Sequence, residues 1–423
     1  MKRLFLSVLL AAALPAAAQD LLIRDATVHT AGSAGTLKDH DVLVQGGVVR
    51  AIGPDLAAPA GVAVVEAKGR PLTPGLFGGL TGLGIEEVSG EPSTVDGGLA
   101  LGAMVPAHEG SSWRPEFDVD VAFNPHSSAI GVNRVEGVTF TVLAPSALPG
   151  GSFVAGQGSA VLLDGRYDAA LAGSRSLFID LGSDASGLSG GSRAGQWMLL
   201  EQAVAEARSG AGEGLLTRAG RAALARYLAG GRVVFHVDRA ADIRQVLAFA
   251  KKNGMRPVIA GGDEAWRVAA ELRAADAVVL LDALANLPAS FDSLAASLEN
   301  AARLHRAGVR VGFTQRGDAT HNARKVRQLA GNAVANGLPW EAGLAGLTSV
   351  PADAFGVGGQ RGRIAVGQAA DLVLWSGDPL EVNTVAEQVW FGGVPASMRS
   401  RQTELRDRYL APKGNLPRAY TVN

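Results

Sequence analysis

Residues 72–85 read Leu-Thr-Pro-Gly-Leu-Phe-Gly-Gly-Leu-Thr-Gly-Leu-Gly-Ile, an apolar and glycine-rich stretch that follows an alternating strand pattern beginning at Val62. Side chains two positions apart on a strand point to the same side, so positions 80 and 82 face a common spot. Those positions hold Leu80 and Gly82, and neither side chain can bind a metal ion. The strand that begins the central part of this chain therefore offers no metal ligand at its end.

Farther along the chain, strand patterns alternate with helical patterns. The strand patterns cover 232–238, 257–260, 277–282 and 309–314, and the helical patterns cover 240–253, 263–275 and 292–307. Successive strands with one helix between them are the connection that a parallel sheet requires. Two segments rich in Gly, Pro and Ser, 86–118 and 144–160, predict long loops.

Both ends of the chain are rich in strand patterns. Residues 20–72 contain short strands, among them a hairpin over 41–52 with Gly46-Gly47 as its two-residue turn, and strand patterns return at 371–375 and 388–391. Each end is too short to fold by itself. We expect the two ends to pair in one small sheet domain.

Three motifs resemble those of the amidohydrolase superfamily, and they bracket the chain in the family's order. Pro74-Gly75-Leu76 is similar to the start of its first barrel strand, Pro-Gly-Leu-Ile-Asp-x-His-x-His. Residues 347–356 resemble its T-x-x-P-A-x-x-x-G helix, and residues 363–380 resemble its return segment, G-x-I-x-x-G-x-x-A-D-L-V. Within the superfamily, the resemblance is to exported, imidazolonepropionase-like proteins.

The resemblance implies an α/β fold, a (β/α)8 TIM-like barrel with a small composite β-sandwich domain formed by both chain ends. The expected boundaries are a signal peptide at 1–18, the composite domain at 19–73 and 364–423, and the barrel at 74–363.

The same resemblance implies a degenerate metal site. The family's two first-strand histidines are replaced by Leu80 and Gly82, the sixth strand offers only Gly261 or a neighbour, and no lysine ends a middle strand. We expect no cofactor, or at most a single divalent metal such as zinc. The residues that could rebuild such a site all lie in expected loops: Glu86, Glu87, His108, Asp318 and His321.

Four residues are the candidate site, because functional groups of such barrels lie at the carboxyl ends of strands. His236 matches the family's fifth-strand ligand, or is hydrogen-bonded into the barrel rim. Asp318 is the candidate proton acceptor, or caps a helix that starts near Thr320. Gln315 and Arg316 are the candidate substrate-binding residues, and Arg316 either anchors an anion or braces its loop with Asp318.

Other features narrow the class of protein. Lys2 and Arg3, the apolar run 4–14 and Ala16-Ala17-Ala18 form a signal-peptide pattern with cleavage after Ala18, and we expect a periplasmic protein without a membrane anchor. The chain has no cysteine, which excludes disulfides and thiolate chemistry. A net charge of −1 without a basic stripe gives no indication of a nucleic-acid partner.

Two functional hypotheses follow. The first is a hydrolase of non-peptide C–N bonds, acting on a cyclic amide or related small substrate with an altered metal site. The second is a catalytically inactive relative that binds a small molecule or pairs with an active paralogue, as a homo- or hetero-oligomer. The fold alone does not separate them, because function belongs to the site.

Overall fold

The computed structural model describes residues 20–101, 113–210, 214–317 and 319–410. The strands in these ranges are β1 (Leu21–His29), β2 (Thr36–Gln45), β3 (Val48–Gly53), β4 (Ala63–Glu66), β5 (Pro71–Pro74), β6 (Leu76–Thr81), β7 (Val138–Leu143), β8 (Val154–Gly158), β9 (Ala160–Leu162), β10 (Ser176–Asp180), β11 (Arg232–Val237), β12 (Arg256–Gly261), β13 (Val278–Leu281), β14 (Arg310–Phe313), β15 (Leu372–Trp375), β16 (Ala386–Phe391) and β17 (Val394–Pro395).

The α-helices in the same ranges are α1 (Ser128–Arg134), α2 (Arg193–Ser209), α3 (Arg218–Leu228), α4 (Ala240–Asn253), α5 (Ala269–Ala274), α6 (Asn300–Arg306), α7 (Ala319–Asn322), α8 (Val326–Ala335), α9 (Trp340–Gly346), α10 (Ser349–Ala354) and α11 (Arg401–Leu410).

Strands from both ends of the chain belong to one eight-stranded sheet. Its order is β17-β16-β15-β5-β1-β2-β3, with β4 paired to β1. The ends meet where β15 pairs antiparallel with β5, and there Trp375 Nε1 donates a hydrogen bond to Thr73 Oγ1 at 2.8 Å. Both residues are fully buried. Gly46 and Gly47, with φ of 60° and 81°, make the tight turn of the β2–β3 hairpin.

The central strands form the barrel wall in two sheets. A six-stranded sheet has the order β14-β13-β12-β11-β10-β8, and a three-stranded sheet has the order β6-β7-β9. From β10 to β14 all neighbours are parallel. Helix α4 ends at Asn253 and is followed by left-handed Gly254, as its sequence pattern predicts. The predicted α/β class, a TIM-like barrel with an additional domain, is confirmed, whereas the domain boundaries at 73/74 and 363/364 stay predictions.

The prediction of an irregular loop over 144–160 is wrong in its second half. Strand β8 pairs antiparallel with β10, and β9, which follows after one residue, pairs antiparallel with β7. Together they join the two sheets. The glycines that suggested a loop permit close backbone contact instead, since a Cβ atom at Gly156 would lie 2.7 Å from the Phe117 carbonyl oxygen.

The predicted helix over 292–307 is shorter than expected, because α6 begins only at Asn300. The carboxylate of Asp292 is used elsewhere: it accepts a hydrogen bond from Ser183 N at 2.7 Å and pairs with Arg193. Ser183 lies between β10 and α2, and Arg193 is the first residue of α2, so a long-range contact overrides the local helical pattern. The helix predicted over 263–275 is likewise a 3-10 turn at 265–268 followed by α5.

No strand ladder joins β6 to β14 in the described chain. The seam is bridged by a side chain, since Leu80 N donates to Thr314 Oγ1 at 3.0 Å. The hydroxyl of Thr314 therefore replaces a backbone acceptor for the buried Leu80 amide.

No helix among the described residues is both long and apolar enough to span a bilayer. The predicted signal peptide, 1–18, lies outside the described residues, and export stays a prediction.

The joint between the chain ends gives a stability prediction. Thr73→Val keeps the side-chain shape but leaves the Trp375 indole N–H buried without an acceptor, which costs about 1–3 kcal/mol. Thr27→Val is the control, because Thr27 Oγ1 donates to the Gly69 carbonyl oxygen in an exposed part of the same sheet. Denaturant unfolding should show the larger loss for Thr73→Val, and equal losses would show that this hydrogen bond does not secure the joint.

Candidate functional site

A cavity of about 1070 Å³ opens at the carboxyl ends of the barrel strands. Its wall includes Leu80 on β6, Gly82 after β6, the segment 144–150 after β7, and His236 on β11. Of the four predicted site residues, His236, Gln315 and Arg316 line this cavity, while Asp318 lies outside the described residues. A cavity of this size and position is typical of a small-molecule site.

His236 is hydrogen-bonded to a carboxylate that the sequence did not single out. Asp180, the last residue of β10, is the register partner of His236 on β11, and Asp180 Oδ1 lies 2.6 Å from His236 Nδ1. The other oxygen of Asp180 accepts from Ala147 N at 3.0 Å, and the ring of Phe178 stacks on the imidazole at 6.3 Å. Placing the ends of neighbouring parallel strands side by side could have found Asp180, because it ends the apolar strand before β11.

Burial and the neighbouring carboxylates shift the pKa of His236 in opposite directions. Burial deep in the barrel lowers that pKa, but the charge and hydrogen bond of Asp180 and the charge of Asp238 outweigh burial, and the pKa is raised above 6.5. The imidazole still reaches the cavity, with 38% of its side chain accessible. Because Asp180 accepts the hydrogen on Nδ1, the neutral ring carries its free electron pair on Nε2.

Arg316 lies among carboxylates that follow three successive strands. Its Nη2 donates to Asp263 Oδ1 at 2.9 Å and to Asp238, and its backbone N donates to Asp282 Oδ2 at 3.2 Å. The sequence suggested Asp318 as the bracing partner, whereas the described partners are Asp238 and Asp263. Arg316 thus ties together the ends of β11, β12 and β13.

Both carboxyl groups that share this guanidinium have a raised pKa. Burial is the main cause for each, and the neighbouring charge of Asp238 adds to it at Asp263. The positive charge of Arg316 acts in the opposite direction on both. The negative charge of this cluster therefore depends on Arg316.

Glu86 enters the cavity beside the first barrel strand. Its Oε2 accepts from Thr320 Oγ1 at 3.1 Å, and the same hydroxyl accepts from Gly82 N at 2.9 Å. A Cβ atom at Gly82 would lie 3.0 Å from Glu86 Oε2. Glu86 and Thr320 therefore fill the space that a side chain at position 82 would need.

The residues at these strand ends do not fit a binuclear metal centre. Leu80 and Gly82 supply no ligand, and a Cβ atom at Gly261 would lie 2.5 Å from Asp238 Oδ1 and 3.2 Å from Arg316 Nη2. No cluster of three or more His, Cys, Asp or Glu side chains that could hold a metal ion occurs in the described ranges. A guanidinium and its carboxylates occupy the place where a sixth-strand ligand would extend.

The remaining candidates from the sequence fall into three groups. Glu86 lines the cavity, as does the loop segment 145–150. Glu87 and His321 are exposed and are not among its described lining. His108 lies outside the described residues.

Known proteins resemble this chain in sequence over part of its length. The model of the Amidohydrolase family matches residues 219–398, so this part of the chain carries an amidohydrolase family domain. A protein of Hapsidospora irregularis described as Amidohydrolase tasK is 43% identical over 72 residues, which are 17% of this chain and 7% of that protein. The chain therefore spans only a small part of this relative.

Solved structures show the same fold at low sequence identity. An amidohydrolase from Thermotoga maritima MSB8 superposes with a TM-score of 0.76 at 24% identity, covering 90% of this chain and 100% of that one. A putative prolidase from Bifidobacterium longum has a TM-score of 0.56 at 16% identity, covering 90% and 95%. An adenosine deaminase from Xanthomonas campestris with bound zinc has a TM-score of 0.51 at 18% identity, covering 92% and 98%.

The misfit at positions 80, 82 and 261 predicts the metal content. Protein purified with zinc in the medium and then dialysed should not retain stoichiometric binuclear zinc, because the strand ends supply too few ligands. Elemental analysis gives the answer directly. Two zinc ions per chain that resist dialysis would contradict this prediction.

The Arg316 cluster predicts a pH-dependent loss of stability. Arg316→Ala leaves Asp238 and Asp263 without their counter-charge, and should cost about 1–3 kcal/mol, less than a fully buried pair because Arg316 is 43% exposed. A carboxyl group whose pKa is higher in the folded than in the unfolded protein destabilises the folded state as the pH rises from the lower pKa to the higher one. The cost of Arg316→Ala should therefore be larger at about pH 8 than at about pH 5.

Arg310→Ala is the matched control for this measurement. Arg310 is 40% exposed and pairs with Asp276, which is 89% exposed, so its loss should cost about 1 kcal/mol or less at either pH. Thermal unfolding of both variants at the two pH values gives the comparison. A pH-independent effect of Arg316→Ala would show that its two carboxylates do not titrate as described.

Proposed function

We propose that this chain, whose residues 219–398 match the Amidohydrolase family, hydrolyses a non-peptide C–N bond of a small molecule in the barrel-mouth cavity. One observation carries the proposal: His236 lines that cavity and its Nδ1 lies 2.6 Å from Asp180 Oδ1. An imidazole oriented by a carboxylate, with Nε2 left to accept a proton, is the arrangement of a general base.

In the proposed reaction His236 Nε2 takes a proton from a water molecule, and the resulting hydroxide attacks the carbon of the C–N bond. Asp180 holds the ring orientation and stabilises the imidazolium that forms. The imidazolium then returns the proton to the departing nitrogen as the C–N bond breaks. The products are a carboxylic acid and an amine, and His236 is left neutral and ready for the next cycle.

His236, and not a metal ion, activates the water molecule in this reaction, because the strand ends do not fit the family's metal centre. Gln315 is the proposed substrate-binding residue, since it lines the cavity and its buried Oε1 has no hydrogen-bond partner in the described part of the chain. A catalytic role of Asp318 stays a prediction. Arg316 supports the site through Asp238 and Asp263.

The resemblance to imidazolonepropionase-like proteins favours cyclic amides and related compounds as substrates, and an exported, periplasmic enzyme. The alternative of a catalytically inactive relative gains no support from the comparisons. A partnership with an active paralogue has no observation in its favour here.

The test of this function is hydrolysis of a panel of cyclic amides, dipeptides and aryl amides by the purified mature protein. His236→Gln should lower kcat by about 10²-fold or more, the contribution typical of a positioned base. His305→Gln, an exposed histidine on α6, is the control and should leave kcat unchanged. Equal rates for the wild type and His236→Gln would contradict the proposal.

The raised pKa of His236 predicts the shape of the pH profile. A base acts when it is deprotonated, so kcat/KM should rise with pH through a pKa above 6.5. In Asp180→Asn the charge and the charged hydrogen bond are lost while burial, which lowers the pKa, remains. The rising limb should therefore move to lower pH, and an unmoved limb would show that Asp180 does not act on the titrating base.

A further inference from the structure

We infer that the substrate carries a positive charge, and that Glu86 binds the charged group. This inference rests on the proposed function of the same cavity and names the class of compound that the site takes: a small molecule with an ammonium or similar cationic group.

The charge of the cavity wall is the first argument. The described lining carries five carboxylates against one guanidinium and one imidazole, and it contains no lysine. The carboxylates are those of Glu86, Asp180, Asp184, Asp238 and Asp282. A site walled mainly by one sign of charge attracts the opposite sign and repels its own.

The partners of the one guanidinium are the second argument. Arg316 Nη2 donates to both Asp238 and Asp263, and its backbone N donates to Asp282. A ligand carboxylate at Arg316 would approach three protein carboxylates as well. The cluster as built is therefore unfavourable for an anion, although a lone arginine in the sequence suggested an anion anchor.

The environment of Glu86 is the third argument. Asp180 is hydrogen-bonded to His236 and Asp238 to Arg316. Asp282 accepts from the backbone N of Leu284 at 2.9 Å and from that of Arg316 at 3.2 Å, and Asp184 is exposed. Glu86 is half-buried at the cavity wall, and in the described chain its carboxylate accepts a side-chain hydrogen bond from the neutral hydroxyl of Thr320. A carboxylate that is held in place but lacks a cationic partner is suited to bind one from the ligand.

The position of Glu86 is the fourth argument. It stands beside β6, whereas His236 stands on β11, so the two side chains belong to different parts of the same wall. Binding of the cationic group at Glu86 would fix one end of the substrate while the bond to be cleaved lies at His236. Such two-point binding supplies the orientation that hydrolysis requires.

A set of three aryl amides that differ in charge tests the inference. The compounds are glycine 2-naphthylamide, which is cationic, its N-acetyl derivative, which is neutral, and its N-succinyl derivative, which is anionic. Calorimetric titration gives their dissociation constants for the wild type, Glu86→Gln and Glu87→Gln, and release of naphthylamine is followed separately. Glu87 is the matched control, because it is the next residue and points to solvent outside the described cavity wall.

We expect the cationic amide to bind the wild type about tenfold or more tightly than the neutral amide, as a charge-assisted hydrogen bond provides. Glu86→Gln should abolish this difference, with affinity for the neutral amide retained, and Glu87→Gln should preserve it. Wild-type protein that binds the neutral or anionic amide as tightly as the cationic one, or that binds none of the three, overturns the inference. So does equal behaviour of the two variants.

The two readouts separate this inference from the proposed function. Binding of the cationic amide through Glu86 without naphthylamine release would retain the inference and count against hydrolysis of this bond. Release that depends on His236 but shows no charge preference would retain the hydrolase and overturn the inference.

Discussion

The ion pairs of Arg316 with Asp238 and Asp263 organise one side of the barrel mouth. These carboxylates follow β11 and β12, and Asp282, which accepts from the Arg316 backbone, follows β13. Burial raises the pKa of both Asp238 and Asp263, and the charge of Asp238 raises that of Asp263 further. A fixed guanidinium at the end of β14 is what permits the three strand ends to approach. Arg316 and Asp238 also lie so close to Gly261 that a metal-binding side chain at position 261 would collide with them.

A second interaction, between His236 and Asp180, gives the cavity its candidate chemistry. The register of β10 with β11 places the two residues side by side, and the 2.6 Å hydrogen bond sets which imidazole nitrogen faces the cavity. The absence of a side chain at Gly82 leaves room for Glu86, which is hydrogen-bonded to Thr320. Gly82 and Gly261, which supply no metal ligand, thus lie beside Glu86 and the Arg316 cluster, respectively. The guanidinium of Arg316, the carboxylate-bound histidine and the acidic wall together favour the proposed acid–base chemistry on a cationic molecule.

Much of the fold could be predicted from local patterns, because strand and helix periodicity and terminal glycines act over short distances. The hairpin at Gly46-Gly47 and the helix ended by Gly254 are of this kind. The pairing of both chain ends was expected for another reason, because each end is rich in strand patterns and too short to fold by itself. The start of α6 and the strands β8 and β9 were missed, because long-range contacts decide them: Asp292 binds Arg193, and Gly156 lies against Phe117. The candidate site was predicted in part. Its position near His236, Gln315 and Arg316 follows from the ends of the predicted strands. The pairing of His236 with Asp180 depends on the register between β10 and β11, and the position of Glu86 depends on the hydroxyl of Thr320, which is distant in sequence.

The central claim is that His236, held in orientation by Asp180, activates the attacking water molecule. The most direct measurement is kcat/KM for a hydrolysed amide before and after exhaustive treatment with a chelator, with metal content followed in the same samples. The account predicts that kcat/KM is unchanged when metal has been removed. A loss of activity that added zinc restores would contradict it.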